Sequence, residues 1–185
     1  MNTQDRLTAL ETKMQEFVDR QAIFDCIKRN ARGNDRFDDD LVTSSYHPDG
    51  LHELGEKQIS GHEYGQHANH AHGALFDANM HTVTMHTCEI DGDVAHAESY
   101  NIGVFLDKGG ETGRILAGRY IDRLEKRDGE WRIVLRRATV EVAMEGKATL
   151  PNGKPLAGSG YLSGNRDRND PAYQRPLTTG SGTRW

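Results

Sequence analysis

Met80-His-Thr-Val-Thr-Met-His-Thr-Cys-Glu-Ile-Asp-Gly-Asp93 is the stretch on which the fold turns. Its Thr, Val and Met residues favour a strand, and Asp91-Gly92 is a strong hairpin signal. Val94 to Leu106 then returns as a second strand. Lys108-Gly109-Gly110 turns again, Arg114 to Leu124 makes a third, Arg127-Asp128-Gly129 reverses it, and Trp131 to Ala143 makes a fourth. Residues 80 to 143 therefore read as an antiparallel meander.

The preceding segment has a different period. Leu7, Leu10, Met14 and Phe17 follow a helical three-four spacing, and a second helical segment runs from about Asp19 to Gly33. Gly33 leaves the end of that helix open by about a turn. Asp38, Asp39 and Asp40 cap a short helix carrying Leu41 and Val42, which Tyr-His-Pro-Asp-Gly at 46–50 breaks. Leu51 to Leu54 reads as a short strand and Gly61 to about Ala78 as a further helix. Helices followed by an antiparallel meander define an α+β domain, with helices packed on one face of a curved sheet that forms a cone with one open mouth.

Composition narrows the class of protein. The chain has 185 residues, 35% of them hydrophobic, a mean hydropathy of −0.76 and a net charge of −5 with both signs interspersed. That balance argues against nucleic acid or an anionic membrane as the main partner. No apolar run reaches membrane-spanning length, and the N-terminus lacks the basic start and apolar stretch of a signal peptide. The expectation is a soluble, cytoplasmic protein with a core domain over 1–144. Residues 145–185, rich in Gly, Pro, Asn and Arg, form an irregular tail that is disordered or lies over the pocket or a neighbouring subunit, with Tyr161, Leu162, Tyr173 and Trp185 as anchors. Cys26 and Cys88 fit no metal spacing and read as reduced core residues. Ile121, Trp131, Ile133 and Leu135 need more cover than one small domain supplies, which predicts a homo-oligomer, a dimer or trimer.

Candidate chemistry begins at Asp35. Ile23, Ile27 and Ala31 recur every four residues, and Asp35 is the next step of that apolar stripe. If the helix reaches it, the carboxylate points to the core, where it is costly unless paired. His81 opens the long strand and on a period of two shares a face with Val83, Met85 and Thr87, whereas His86 falls on the opposite face. An inward His81 can reach Asp35 and form a carboxylate–imidazole base; the alternative is a polar strand residue bonded to backbone. Of Arg136 and Arg137, one faces inward, to steady an oxyanion or to fix Asp35, and the other outward. Tyr46 either donates to a leaving oxygen or packs at a helix end. His62, His67, His70 and His72 invite a zinc reading, but no close ligand set completes it, and solvated helix positions or pocket-rim contacts are the other reading.

The succession of Ala-Arg-Gly-Asn-Asp-Arg, Tyr-His-Pro-Asp-Gly, the 80–93 stretch and Gly-Arg-Tyr-Ile-Asp-Arg-Leu-Glu-Lys-Arg-Asp-Gly-Glu-Trp-Arg-Ile resembles SnoaL-like proteins of the nuclear transport factor 2-like superfamily, over about residues 15 to 143. The resemblance implies a cone-shaped α+β barrel. The superfamily's dehydratases and dehydrochlorinase use an Asp–His pair without cofactor, at positions that match Asp35 and His81, and the dehydrochlorinase-type arginine falls near Arg136. Several dehydratases carry a tyrosine five residues before the aspartate, and the dehydrochlorinase a lysine; here Asn30 stands there. Leaving-group assistance is then expected from Tyr46, Tyr100 or Tyr120. The tail resembles those of SnoaL-like proteins from bacteria that degrade aromatic compounds, some of which deformylate diarylpropanes. The expected function is a lyase that needs no cofactor or metal, acting on a small hydrophobic, ring-containing molecule by loss of water or formaldehyde. An isomerase or polyketide-type cyclase, or a non-catalytic small subunit or binding module, is the alternative the same fold permits.

Overall fold

The computed structural model describes residues 2–185. Helix α1 spans Thr3–Arg36 without interruption, so the two expected helices are one of 34 residues. Asn2 caps it: the Asp5 backbone N–H donates to Asn2 Oδ1 at 2.9 Å, and the Asn2 N–H donates to Asp5 Oδ2 at 3.1 Å. Gly33 does not end it. A Cβ there would lie 2.5 Å from Val42 Cγ2, so glycine is what lets helix α2 (Asp39–Thr43) pack across α1. The helix stops at Phe37, whose φ of 52° is left-handed.

Only the second half of α1 is gripped. Ile23, Cys26, Ile27, Asn30, Ala31, Asn34 and Asp35 are buried, whereas Leu7, Leu10, Met14 and Phe17 are exposed. Helix α3 (Gly61–Leu75) completes the helical layer, three residues shorter than expected because strand β3 already begins at Phe76.

The sheet has seven strands: β1 (Tyr46–Leu54), β2 (Lys57–Ser60), β3 (Phe76–Asp91), β4 (Val94–Asp107), β5 (Thr112–Arg127), β6 (Glu130–Ala138) and β7 (Val142–Lys147). Its order is β2-β1-β6-β5-β4-β3, with β7 also on β5, and it does not close. The meander is antiparallel, but β1 runs parallel to β6, so the sheet is mixed. The strand expected over 131–143 is two. Residues 139–141 cross over Gly118, where a Cβ would lie 2.0 Å from the Thr139 carbonyl oxygen, and β7 then pairs with the first half of β5. Strand β7 therefore runs across position 144, and the irregular tail begins after Lys147.

Two bulges decide what faces inward. Between Thr84 and His86 the β3–β4 register shifts, and Met85 takes a φ of 32°. His81, Val83, His86 and Cys88 consequently share the inner face, which moves His86 from the side that strict alternation assigns it. Between Arg123 and Leu124 the β5–β6 register shifts against Val134, so Ile133 and Arg136 both point inward although they are an odd number of positions apart. Trp131 and Ile133 are thus covered within the domain, and only Ile121 of the four residues expected to need outside cover is exposed.

Arg136 is fully buried, and its charge organises the interior. Its Nε and Nη2 donate to Asp122 at 2.7 and 2.8 Å, its Nη1 donates to Asn30 Oδ1 at 2.8 Å, and the guanidinium lies 4.1 Å from the centre of the Tyr120 ring. Asp122 is its cross-strand partner in the register. Because removing one member strands the other charge, Arg136→Met is expected to cost about 3–5 kcal/mol of stability, read as a shift in the urea unfolding midpoint. A midpoint that barely moves would show that Asp122 finds another partner.

Candidate active site

The last turn of α1 and the first half of β3 bring Asp35 and His81 together. His81 Nδ1 lies 2.7 Å from Asp35 Oδ1, and the His81 backbone N–H donates to both carboxylate oxygens, at 3.0 and 2.9 Å. A carboxylate is an acceptor only, so Nδ1 carries the proton and Nε2 is left as a base. Asn79, two residues back on the same face, donates Nδ2 to Asp35 Oδ1 and to the Asn34 carbonyl oxygen, both at 3.2 Å. Asp35 is 8% exposed, and these three donors account for its burial.

The surroundings of His81 are aromatic. Phe105 meets its ring edge-on with centroids 5.6 Å apart, His72 lies at 5.6 Å, and Phe76 packs on Phe105 at 4.7 Å. Gly103, the cross-strand partner of His81, makes room for this: a Cβ there would sit 2.7 Å from Phe105 Cε2. Burial, and then the neighbouring His81, push the His72 pKa down from 6.5 to about 4.

The histidine group on α3 does not converge. His62, His67 and His70 are exposed and His72 alone turns inward. Among the described residues no three His, Cys, Asp or Glu side chains are placed to hold a metal ion. His72 was legible: Gly61, Gly65 and Ala68 are buried, and His72 is the next step of that spacing.

The other expected residues are placed as follows. Arg136 faces inward and Arg137 outward, where it pairs with Glu53, but Arg136 is bound to Asp122 and Asn30 and makes no bond to Asp35 or His81. Tyr120 packs under Arg136, and burial raises its hydroxyl pKa. Tyr46 is buried, its hydroxyl bonded to His52 Nδ1 at 2.7 Å, and His52 stacks on Tyr64 at 3.6 Å. Tyr100 lies on the outer face of β4, away from the interior, because it alternates with the inward Ser99 and Asn101. Asn30 is inside. Its Nδ2, Asn34 Oδ1, His52 Nε2, His72 Nδ1, His86 Nε2 and Asn101 Oδ1 are buried atoms without a protein partner. They give the interior a hydrogen-bonding capacity of the kind a polar substrate group uses.

A cavity of about 770 Å³ lies elsewhere, against the outer row Met80, Val104, Ile115 and Met144. The tail residues Leu156, Leu162 and Trp185 wall it, and it reaches Asn79 and Arg166 but not Asp35 or His81. The tail docks by polar contacts as well as by anchors such as Trp185: Arg36 pairs with buried Asp170 at 3.6 Å, while Tyr161 is exposed.

An α+β cone with helices over one face of an open, curved sheet and a polar interior is the nuclear transport factor 2-like class. Within it, residues 15–137 match the SnoaL-like domain, and the chain belongs to that family. No curated protein is detectably similar. Among solved structures, a variant of Rv3472, of unknown function, from Mycobacterium tuberculosis shares 26% identity over 69% of this chain and 74% of its own, with a TM-score of 0.62. Kfla4162 from Kribbella flavida is 18% identical over 70% and 95%, at 0.63. The hexachlorocyclohexane dehydrochlorinase LinA-type3 from Novosphingobium barchaimii is 18% identical over 82% and 99%, at 0.66. The last two likenesses establish the fold. Among the described residues no helix is long and apolar enough to cross a membrane.

The depressed pKa of His72 sets a sign. A histidine whose folded pKa lies below its unfolded value adds stability that is complete above the unfolded pKa and is lost as pH falls. Unfolding midpoints should therefore decline as pH drops from 6.5 to about 4, and His72→Gln should flatten that decline. An unchanged pH profile in the variant would remove His72 as its cause.

Proposed function

We propose that this chain is a cytoplasmic, cofactor-independent lyase acting on a small hydrophobic molecule that carries an aromatic or fused ring. The observation that carries this reading is the 2.7 Å contact between His81 Nδ1 and Asp35 Oδ1, which leaves Nε2 as an acceptor among aromatic side chains. In a dehydration, His81 Nε2 takes a proton from carbon and the C–H electron pair becomes the new double bond. The C–O bond breaks, and the leaving oxygen departs as water with a proton returned from the imidazolium. In a deformylation, the proton comes from a hydroxymethyl O–H, formaldehyde forms as the C–C bond breaks, and that electron pair expels the neighbouring hydroxyl as water. Asp35 balances the imidazolium in both. The hexachlorocyclohexane dehydrochlorinase among the structural neighbours carries, by its name, another elimination. A positioned base contributes about a hundred- to ten-thousandfold in rate, and orientation and electrostatics in the interior supply the rest.

The proposal is tested with protein dialysed against EDTA and a panel of aryl compounds bearing a hydroxyl or hydroxymethyl group beside an acidic C–H. Mass spectrometry should find a product lighter by water or by formaldehyde plus water. A product of unchanged mass in H2O that becomes heavier in D2O by uptake of solvent deuterium would point to an isomerase instead. Turnover should fall by about a hundred- to ten-thousandfold in Asp35→Asn and in His81→Ala, with the double variant little worse than the worse single because the two act as a unit. Equal turnover in Asp35→Asn and wild type would sink the reading.

We also propose that the protein is a homo-oligomer, a dimer or trimer, in which the exposed α1 stripe of Leu7, Leu10, Met14 and Phe17 is covered. Sedimentation at micromolar concentration should give a mass above the monomer, and Met14→Glu with Phe17→Glu should lower it. A wild-type monomer would count against the assembly.

A further inference from the structure

Arg166, in the tail, spends its guanidinium in an unusual way. Nη1 donates to the Phe76 carbonyl oxygen at 2.8 Å, Nη2 donates to Asn79 Oδ1 at 2.7 Å, and the group lies 4.4 Å from the centre of the Phe37 ring. Among the described residues no carboxylate forms an ion pair with it, whereas its tail neighbour Arg168 reaches Asp38 at 3.5 Å. Arg166 is half-buried, and burial lowers its pKa. Charged groups held away from water ordinarily find an acid, so this placement has a cost that tail docking alone does not explain.

What it accomplishes is visible in Asn79. A guanidinium has donors and no acceptor, so the amide atom facing it must be the oxygen. That turns Nδ2 towards Asp35 Oδ1 and the Asn34 carbonyl oxygen. A reversed amide would set its oxygen against two acceptors and leave its nitrogen against a cation. Asn79 and His81 lie on one face of β3, so the carboxylate is held from two positions of one strand.

We propose that Arg166 is a positioning residue for the Asp35–His81 pair and acts through Asn79. The tail fixes the direction of the Asn79 amide, the amide fixes the carboxylate, and the carboxylate fixes the His81 ring. This rests on reading the pair as the base of the reaction, yet the relay can be measured without any substrate. Assembly of the pair is thereby coupled to docking of a segment whose Arg166 lies 87 residues from Asn79 in sequence.

The readout is the His81 Nδ1 proton, which in a hydrogen bond to a carboxylate gives a downfield proton resonance in slow exchange with water. It is assigned by its loss in His81→Ala. Arg166→Ala and Asn79→Ala should each speed its exchange about tenfold, the loss of one charge-assisted hydrogen bond, and the double variant should be no faster than Asn79→Ala. Arg168→Ala, which removes the tail's contact to Asp38 and keeps the Asp170 bonds that hold the backbone beside Arg166, should change it by less than about twofold. Arg166→Met, with an apolar stem to lie on Phe37, replaces Arg166→Ala if that variant unfolds. The inference is overturned if the Arg166 variant leaves the exchange rate unchanged, if the effects of the two single variants multiply, or if Arg168→Ala matches Arg166→Ala. Turnover that ignores Asp35 would remove the lyase reading and leave the relay standing; a relay that fails while turnover depends on Asp35 would remove this inference alone.

Discussion

A guanidinium with no access to water needs a fixed set of acceptors, and Arg136 obtains them from two elements of the fold. Asp122 comes from β5, Asn30 from the C-terminal part of α1, and the face of Tyr120 from β5 again. Because the acceptors must arrive together, the bidentate pair sets the register of β5 on β6 and the rotation of α1 on the sheet. Asn30 and Asp35 lie five residues apart on α1, so the rotation that brings one to Arg136 also brings the other to β3. The interior site is in this sense a by-product of satisfying one buried charge.

How far the sequence revealed this can be traced residue by residue. The four-residue spacing of Ile23, Ile27 and Ala31 was enough to put Asp35 inside, because helical periodicity survives a glycine when tertiary packing wants one there. The hairpin at Gly92 was legible because two residues must turn two twisted strands. The fold class followed from the order of those periods. Strict alternation failed wherever a strand carried an extra residue. It put His86 outside, and it gave no way to choose between Arg136 and Arg137, since the bulges at Met85 and Val134 arise from cross-strand registers that no local pattern contains.

Partners separated by long stretches were the other limit. Arg136 read naturally as a companion of Asp35, the acid already in hand. Its actual acid, Asp122, is set by pairing across a hairpin, where any of several carboxylates on β5 was available. Tyr100 was misplaced by the same ignorance of register: one residue either way would have turned it inward. Arg166 and Asn79 were out of reach because nothing in a Gly- and Arg-rich tail says which strand it crosses.

The long strands also carry a second surface. On β3, β4, β5 and β7 the row Met80, Val104, Ile115 and Met144 alternates with the inward-facing positions and never meets them. Each such strand is read twice, once from each side, by two environments that meet where Asn79 and Phe105 border the outer cavity. Away from that border, changes on one side are screened from the other by the sheet's own thickness. A lineage bearing this fold can rewrite what its outer wall adheres to while the chemistry enclosed within it is inherited intact.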